Sequence, residues 1–133
     1  MRHFYFLIPL FFASCIDDSD VSYTYYQNDL DFKVCFYTEY LDPEELADTS
    51  LWINSPAFKH NIIEPHSTKK TLTGSNIFYQ FEVGRTKRLY FFNYDSVIAL
   101  PWDRIREEYM VIKRIDMSSM EEYEKCNFTI TIP

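Results

Sequence analysis

The sequence predicts a mainly β protein, an antiparallel sandwich or open barrel with two short helices near the C-terminus. Aromatic residues make up 19% of the chain, with 11 Tyr and 12 Phe against 2 Gly, and flat rings pack well on a pleated surface. Short runs of period-two alternation recur, with turn signals roughly every ten residues. Before Asp95 no stretch supplies the crossover helix of about ten residues that a parallel α/β sheet needs.

At 133 residues, 47% apolar and 25% charged, the chain suits one folded domain rather than a disordered tail. Its net charge of -7 concentrates no basic face that could grip phosphates, so nucleic acid is excluded as an expected partner.

Arg2 and His3 precede an apolar run from Phe4 to Ala13, broken only by Pro9. Such a run is too short to cross a hydrocarbon core of about 30 Å as a helix. A basic start, a short apolar centre and the small pair Ala13-Ser14 before Cys15 read as an export signal over 1–14. Pro9 argues against a buried strand or helix there. The stretch CIDDSD, 15–20, reads as an acidic tether, which leaves 21–133 as the single folded domain.

Within that domain Val21, Tyr23 and Tyr25 alternate with Ser22, Thr24 and Tyr26 as a strand. Asn28-Asp29 is a turn and DFKVCFYTEY a second strand, so the two are expected to form a hairpin. Asp42-Pro43-Glu44-Glu45 suits a turn or a single helical turn, with Pro and acids at its start. LWINSPAFKHNII, cut by Pro56, reads as loop plus short strand, and STKKTLTG as a lead into the turn at Gly74-Ser75-Asn76. Ile77 to Val83 and Arg88 to Tyr94 are expected as paired strands about Gly84-Arg85-Thr86. PWDRIREEYM is an amphipathic helix with Trp102, Ile105 and Tyr109 at helical spacing. Ser118 with Glu121 suggests a capping box for a second helix, EEYEKC. NFTITI alternates as the last strand.

FFASC resembles the end of a bacterial lipoprotein signal, with Phe12 where Leu is usual. The resemblance implies cleavage before Cys15, whose thiol and new amino group then carry fatty-acyl chains such as palmitate. CIDDSD is similar to the acidic tether of surface-exposed lipoproteins of Bacteroidota. From Tyr23 to Pro133, and most densely in RLYFFNYDSVIALPWDRIREEYMVIKRIDMSSMEEYEKCNFTITIP, the chain resembles a group of small uncharacterised lipoproteins of Bacteroidota, which typically show Trp at the place of Phe128. That resemblance implies an immunoglobulin-like or transthyretin-like β-sandwich and no established activity. The expected location is the outer membrane, lipid-anchored and cell-surface exposed. The expected partners are outer-membrane lipid, through acylated Cys15, and an envelope or host component.

Few residues suggest chemistry, and no cofactor is expected. Cys35 and Cys126 are either bridged, which an exported compartment permits, or two buried free thiols. His60 and His66 with Glu64 lack metal-site spacing and read as surface histidines. Asp103 and Glu107 share one helix face beside Arg104 and Arg106, the pattern of a solvated face. With Gly only at 74 and 84, neither a phosphate loop nor a nucleophile elbow can be assembled. Lys69-Lys70 and the basic run from Arg85 to Arg88 suit turns and strand edges that must resist aggregation.

Tyr23, Tyr25, Phe32, Phe36, Phe78, Tyr90 and Phe92 are the core candidates by parity. Tyr26, Tyr37, Tyr79 and Phe91, with Trp52, either cover a second sheet face or form an exposed recognition patch for glycan or peptide. The reading that follows is a non-enzymatic structural or interaction module held on lipid, with a small glycan- or peptide-binding module as the alternative and a hydrolase as a weaker one. Metabolic labelling with a lipid precursor checks the anchor: the wild-type protein should incorporate label and Cys15→Ala should incorporate none.

Overall fold

The computed structural model of the chain describes residues 22–51, 61–74 and 76–133. The signal, the tether with Cys15, Trp52 and His60 lie outside those residues. Along the described chain run β1 (Tyr23–Asn28), β2 (Val34–Leu41), a 3-10 turn (Pro43–Glu45), β3 (Ile62–Ile63), β4 (Ser67–Leu72), α1 (Ile77–Glu82) and β5 (Thr86–Asn93). They are followed by α2 (Tyr94–Ala99), α3 (Trp102–Glu107), β6 (Lys113–Met117), α4 (Met120–Lys125) and β7 (Thr129–Ile132).

The strands form two open sheets, ordered β4-β1-β7 and β3-β2-β5-β6. All pairs are antiparallel except β1 with β7, which run parallel in the register Tyr25↔Thr129 to Asn28↔Ile132. The architecture is therefore mixed: antiparallel-dominant sheets with four short α-helices among the described residues, where the sequence suggested two.

The expected hairpin between the first two strands does not form, because β1 and β2 belong to different sheets. Asn28 explains the separation. Its side chain is buried, its Nδ2 donates to the carbonyls of Phe32, Ile63 and Glu64, and its Oδ1 accepts from the Leu30 amide. A buried amide that satisfies carbonyls from two sequence-distant segments fixes a corner rather than a two-residue turn. The chain then crosses from one sheet to the other.

Two further elements differ from their predicted type. Ile77–Glu82 is helix α1, not a strand: buried Ile77 and half-buried Phe81 lie four apart and face the core, while Phe78 and Tyr79 face out. A short apolar run satisfies either period, and here the helical one wins. Ser67–Leu72 is an edge strand, its polar residues disguising a period of two. The α4 cap lies one residue later than predicted: Ser119 Oγ accepts from the Glu122 amide, and the Glu122 carboxylate returns to the Ser118 amide. The Asp42–Glu45 turn is a 3-10 turn with Glu45 Oε2 accepting from the Asp42 amide.

The sheets share one core. Tyr26, Ile130 and Ile132 from the three-stranded sheet meet Val34, Phe36, Ile63, Leu89, Phe91 and Met117 from the four-stranded sheet. The Tyr26 and Phe36 rings stack across it with centroids 4.4 Å apart. Ile77 of α1 and Tyr123 of α4 complete this core. A second cluster covers the far face of the four-stranded sheet, where Cys35, Tyr90 and Phe92 pack with Ile105 of α3, Leu51 and half-buried Val97, Leu100 and Trp102. β5 is thus buried on both faces over Thr86–Phe92.

Lysines tie the edges of the two sheets together. Lys69 Nζ on β4 donates to the Ile62 carbonyl on β3, and Lys113 Nζ on β6 donates to the Thr131 carbonyl on β7. Each spans from the edge of one sheet to the edge of the other, occupying carbonyls that could otherwise template another chain.

Asn28→Ala should lower the unfolding free energy by about 2 kcal/mol or more, because several buried carbonyls lose their donor. Urea denaturation of variant and wild type measures the difference.

Candidate functional site

Polar side chains gather in three places, one on each face of β5 and one on the outer face of the three-stranded sheet. On the helix-covered face Glu39, Arg88 and Asp116 stand opposite one another across β2, β5 and β6. Arg88 is only 1% exposed. Its Nε and Nη2 meet the two Asp116 carboxylate oxygens at 2.8 and 3.0 Å, and Nη1 and Nη2 donate to the Asp48 and Leu46 carbonyls at 2.6 and 2.8 Å. A fork-shaped guanidinium is suited to this set, since every direction of its charge is met. The hydrogen bonds with Asp116 hold the Arg88 charge and raise its pKa. Tyr90 Oη donates to Glu39 Oε1 at 3.0 Å, and burial pushes the Glu39 carboxyl above the usual carboxylate range. A cleft of about 460 Å³ opens beside Glu39, lined by Glu39, Leu41, Glu44, Glu45, Asp48 and Ser50.

On the opposite face of β5, Lys87 points into the core. It is buried beneath the Tyr40 and Tyr123 rings, with Nζ 6.0 and 5.9 Å from their centroids, and donates to the Thr73 carbonyl at 3.3 Å. Burial depresses its pKa to about 8. Burial likewise raises the phenols of Tyr26 and Tyr123.

The third group is the outer face of the three-stranded sheet. Tyr23 and Tyr25 project from β1 at 39% and 38% exposure, two residues apart on one side. Lys70 of β4 lies opposite Tyr25, with Nζ 4.0 Å from the Tyr23 ring centroid and 6.0 Å from that of Tyr25. Leu72 pairs with Tyr23, Thr68 with Gln27, and Thr129 and Thr131 of β7 line the other side. None of these outward residues belongs to either core cluster. Rings about 6.7 Å apart along a strand, rimmed by hydroxyls and one ammonium, can stack an apolar ring face and hydrogen-bond its edges.

This face inverts the predicted parity of β1. Tyr23 and Tyr25, expected in the core, are outside; Tyr26, expected either to cover a second sheet face or to join a recognition patch, is 2% exposed. The polar members of its parity decide the matter. Thr24 points inward because its hydroxyl meets that of Thr73 at 3.0 Å, and Asn28 because it holds the corner. Inward-facing Thr24 and Asn28 carry Tyr26 with them. The signal was available as an Asn two residues beyond an aromatic of its own parity, although its partners are distant in sequence.

The remaining candidates are dispersed. Tyr37 is half-buried against the second cluster, Tyr79 is exposed on α1, and Phe91 is buried in the shared core. Cys35 and Cys126 are separate free thiols. Cys35 sits in the helix-covered cluster, with burial pushing its thiol up to about 12, whereas Cys126 packs against the inter-sheet core and donates to the Tyr123 carbonyl. His66 is exposed, with Nε2 2.6 Å from Asp31 Oδ1, and Glu64 pairs with Lys33 at 3.5 Å. Asp103 lies 3.9 Å from Arg106, while Glu107 lines a separate open cleft with Arg106, Tyr109 and Thr49. Among the described residues no cluster of three or more His, Cys, Asp or Glu is arranged to hold a metal ion.

The Lys87 environment gives stability a defined pH dependence. In the unfolded chain the amine keeps its proton to its ordinary value of 10.5, but in the fold it releases it near 8. Between those values the unfolded chain binds more protons, so stability rises with pH as the cost of the buried charge is removed. Above pH 10 the raised phenols oppose this, because the unfolded chain loses their protons first. From pH 7 to 10 wild type should therefore gain roughly 2 to 3 kcal/mol relative to Lys87→Met, measured by denaturant unfolding at each pH.

Comparison of the chain with family models, with curated proteins and with solved structures returns no match.

Proposed function

We propose that the protein is a non-catalytic interaction module, held on the outer membrane by acylated Cys15 and contacting an envelope or host component through the outer face of its three-stranded sheet. The observation that carries this reading is the exposed Tyr23–Tyr25 pair beside Lys70, on a face outside both core clusters. Tyrosines offer large contact area at low entropic cost and are enriched where proteins meet partners. The charges around β5 support the same reading. Buried Arg88 and its neighbours Asp116 and Glu39 are engaged in holding strands and the 46–48 segment together. The finer assignment to an immunoglobulin-like or transthyretin-like sandwich is part of this proposal, supported by two sheets that share one core.

The ligand class favoured by the face is a glycan. A pyranose ring has an apolar face that stacks on tyrosine and hydroxyls that Gln27, Thr68, Thr129 and Thr131 can meet. A groove-bound peptide would instead want a concave or open-edged site, and both sheets have edges tied by lysine.

Glycan-array and envelope-fraction binding by the wild-type protein and by a Tyr23→Ser/Tyr25→Ser double variant tests the proposal. Loss of about tenfold or more in the variant is expected, roughly the removal of one or two stacking contacts, with the urea midpoint little changed. Equal binding by both proteins would move the contact face elsewhere.

A further inference from the structure

The strand directions sort the molecule into two poles. At one pole lie the start of β1, the end of β4, α1, the start of β5 and α4; at the other lie the Asn28 corner, β3 and the start of α2. The first described residue, Ser22, is at the α1 pole. Cys15 precedes it by seven residues, and a chain of that length reaches at most about 25 Å when fully extended.

An anchor at Cys15 therefore keeps the α1 pole within about 25 Å of the bilayer surface, a reach longer than the roughly 20 Å of β1, so the tether brings this pole to the membrane and its surface must set the tilt. That near pole is also where α1 turns apolar side chains outward. Phe78, Tyr79 and Val83 are exposed, Tyr79 at 60%. Tyr79 and Val83 are one turn apart and share a face. Aromatic side chains of this kind favour the interfacial zone of a membrane. Glu82 lies on the same short helix, and Glu44 and Glu45 follow the end of β2 at this pole, so the attraction would be apolar and would not require anionic lipid.

We propose that α1, through Phe78 and Tyr79 with Val83 at its C-cap, rests on the bilayer surface beside the anchor and orients the domain with α1 down. The inference depends on the lipid-anchor reading above. It adds an orientation: the Tyr23–Tyr25 face stands to the side of the contact instead of against the lipid, open to ligands in the surrounding envelope.

Hydrogen–deuterium exchange on phosphatidylcholine vesicles tests it in two arms. The first uses protein purified from membranes with its native N-terminus; the second uses the chain with residues 1–14 replaced by hexahistidine and held on nickel-chelating lipid. In both, amides of 77–83 should exchange about threefold or more slowly on vesicles than in solution, with 94–99 unchanged despite exposed Ile98. Phe78→Ser/Tyr79→Ser should remain on the vesicles yet lose the protection. Failure of the native protein to float with vesicles would sink the anchor reading, while the histidine-held arm still decides the docking. Unprotected 77–83 in that arm, protection of 94–99 to the same degree, or the same protection in solution through self-association would overturn the docking.

Discussion

A strand buried on both faces that nevertheless carries two adjacent cations is the constraint around which this protein is built. β5 lies between the shared core and the helix-covered cluster, so Lys87 and Arg88 are each forced into a poorly solvated place. Arg88 is resolved by neighbours: Asp116 on β6 and carbonyls of the segment after the 3-10 turn converge on it. An unpaired buried charge would cost several kcal/mol, so the guanidinium determines where β6 and the 46–48 segment sit. Lys87 is resolved differently, by a carbonyl, two aromatic faces and a lowered proton affinity.

The same strand accounts for the unequal treatment of the sheets. Because β5 needs cover on its second face, α2 and α3 fold back over the four-stranded sheet and contribute to its second cluster. The helices at the α1 pole instead plug the gap between the sheets with Ile77 and Tyr123. None of these four helices belongs to the outer side of β4-β1-β7. An aromatic surface left there is a by-product of how β5 is buried, and the proposed recognition role draws on it.

Sequence alternation located β1, β2, β5 and β7, and Pro101 and the serines near 118 marked α3 and α4 within a residue or two. What it missed depends on distant partners. STKKTL and KRIDM are edge strands whose polar sides need not be hidden, so their period is weak. Helix α2 was readable in principle: Asn93 accepts from the Asp95 and Ser96 amides as an N-cap, with an acid in the first turn and Pro101 soon after. The face of β1 was not readable from its rings alone. Tyr23, Tyr25 and Tyr26 are chemically alike, and the choice between them was made by Thr73, Ile63 and Glu64, reached only through the fold. Those partners bury Tyr26, one of the candidates for an exposed patch, and leave Tyr23 and Tyr25 outside.

The parallel pairing of β1 with β7 has a kinetic consequence. The inner strand of its sheet receives one neighbour at residues 67–72 and the other only at 129–132. Until that late segment arrives, Tyr26 lacks the flank supplied by Ile130 and Ile132, and the shared core stays open along one side. Contacts of such long sequence separation form slowly. A chain wired this way completes its shared core only when its final strand docks.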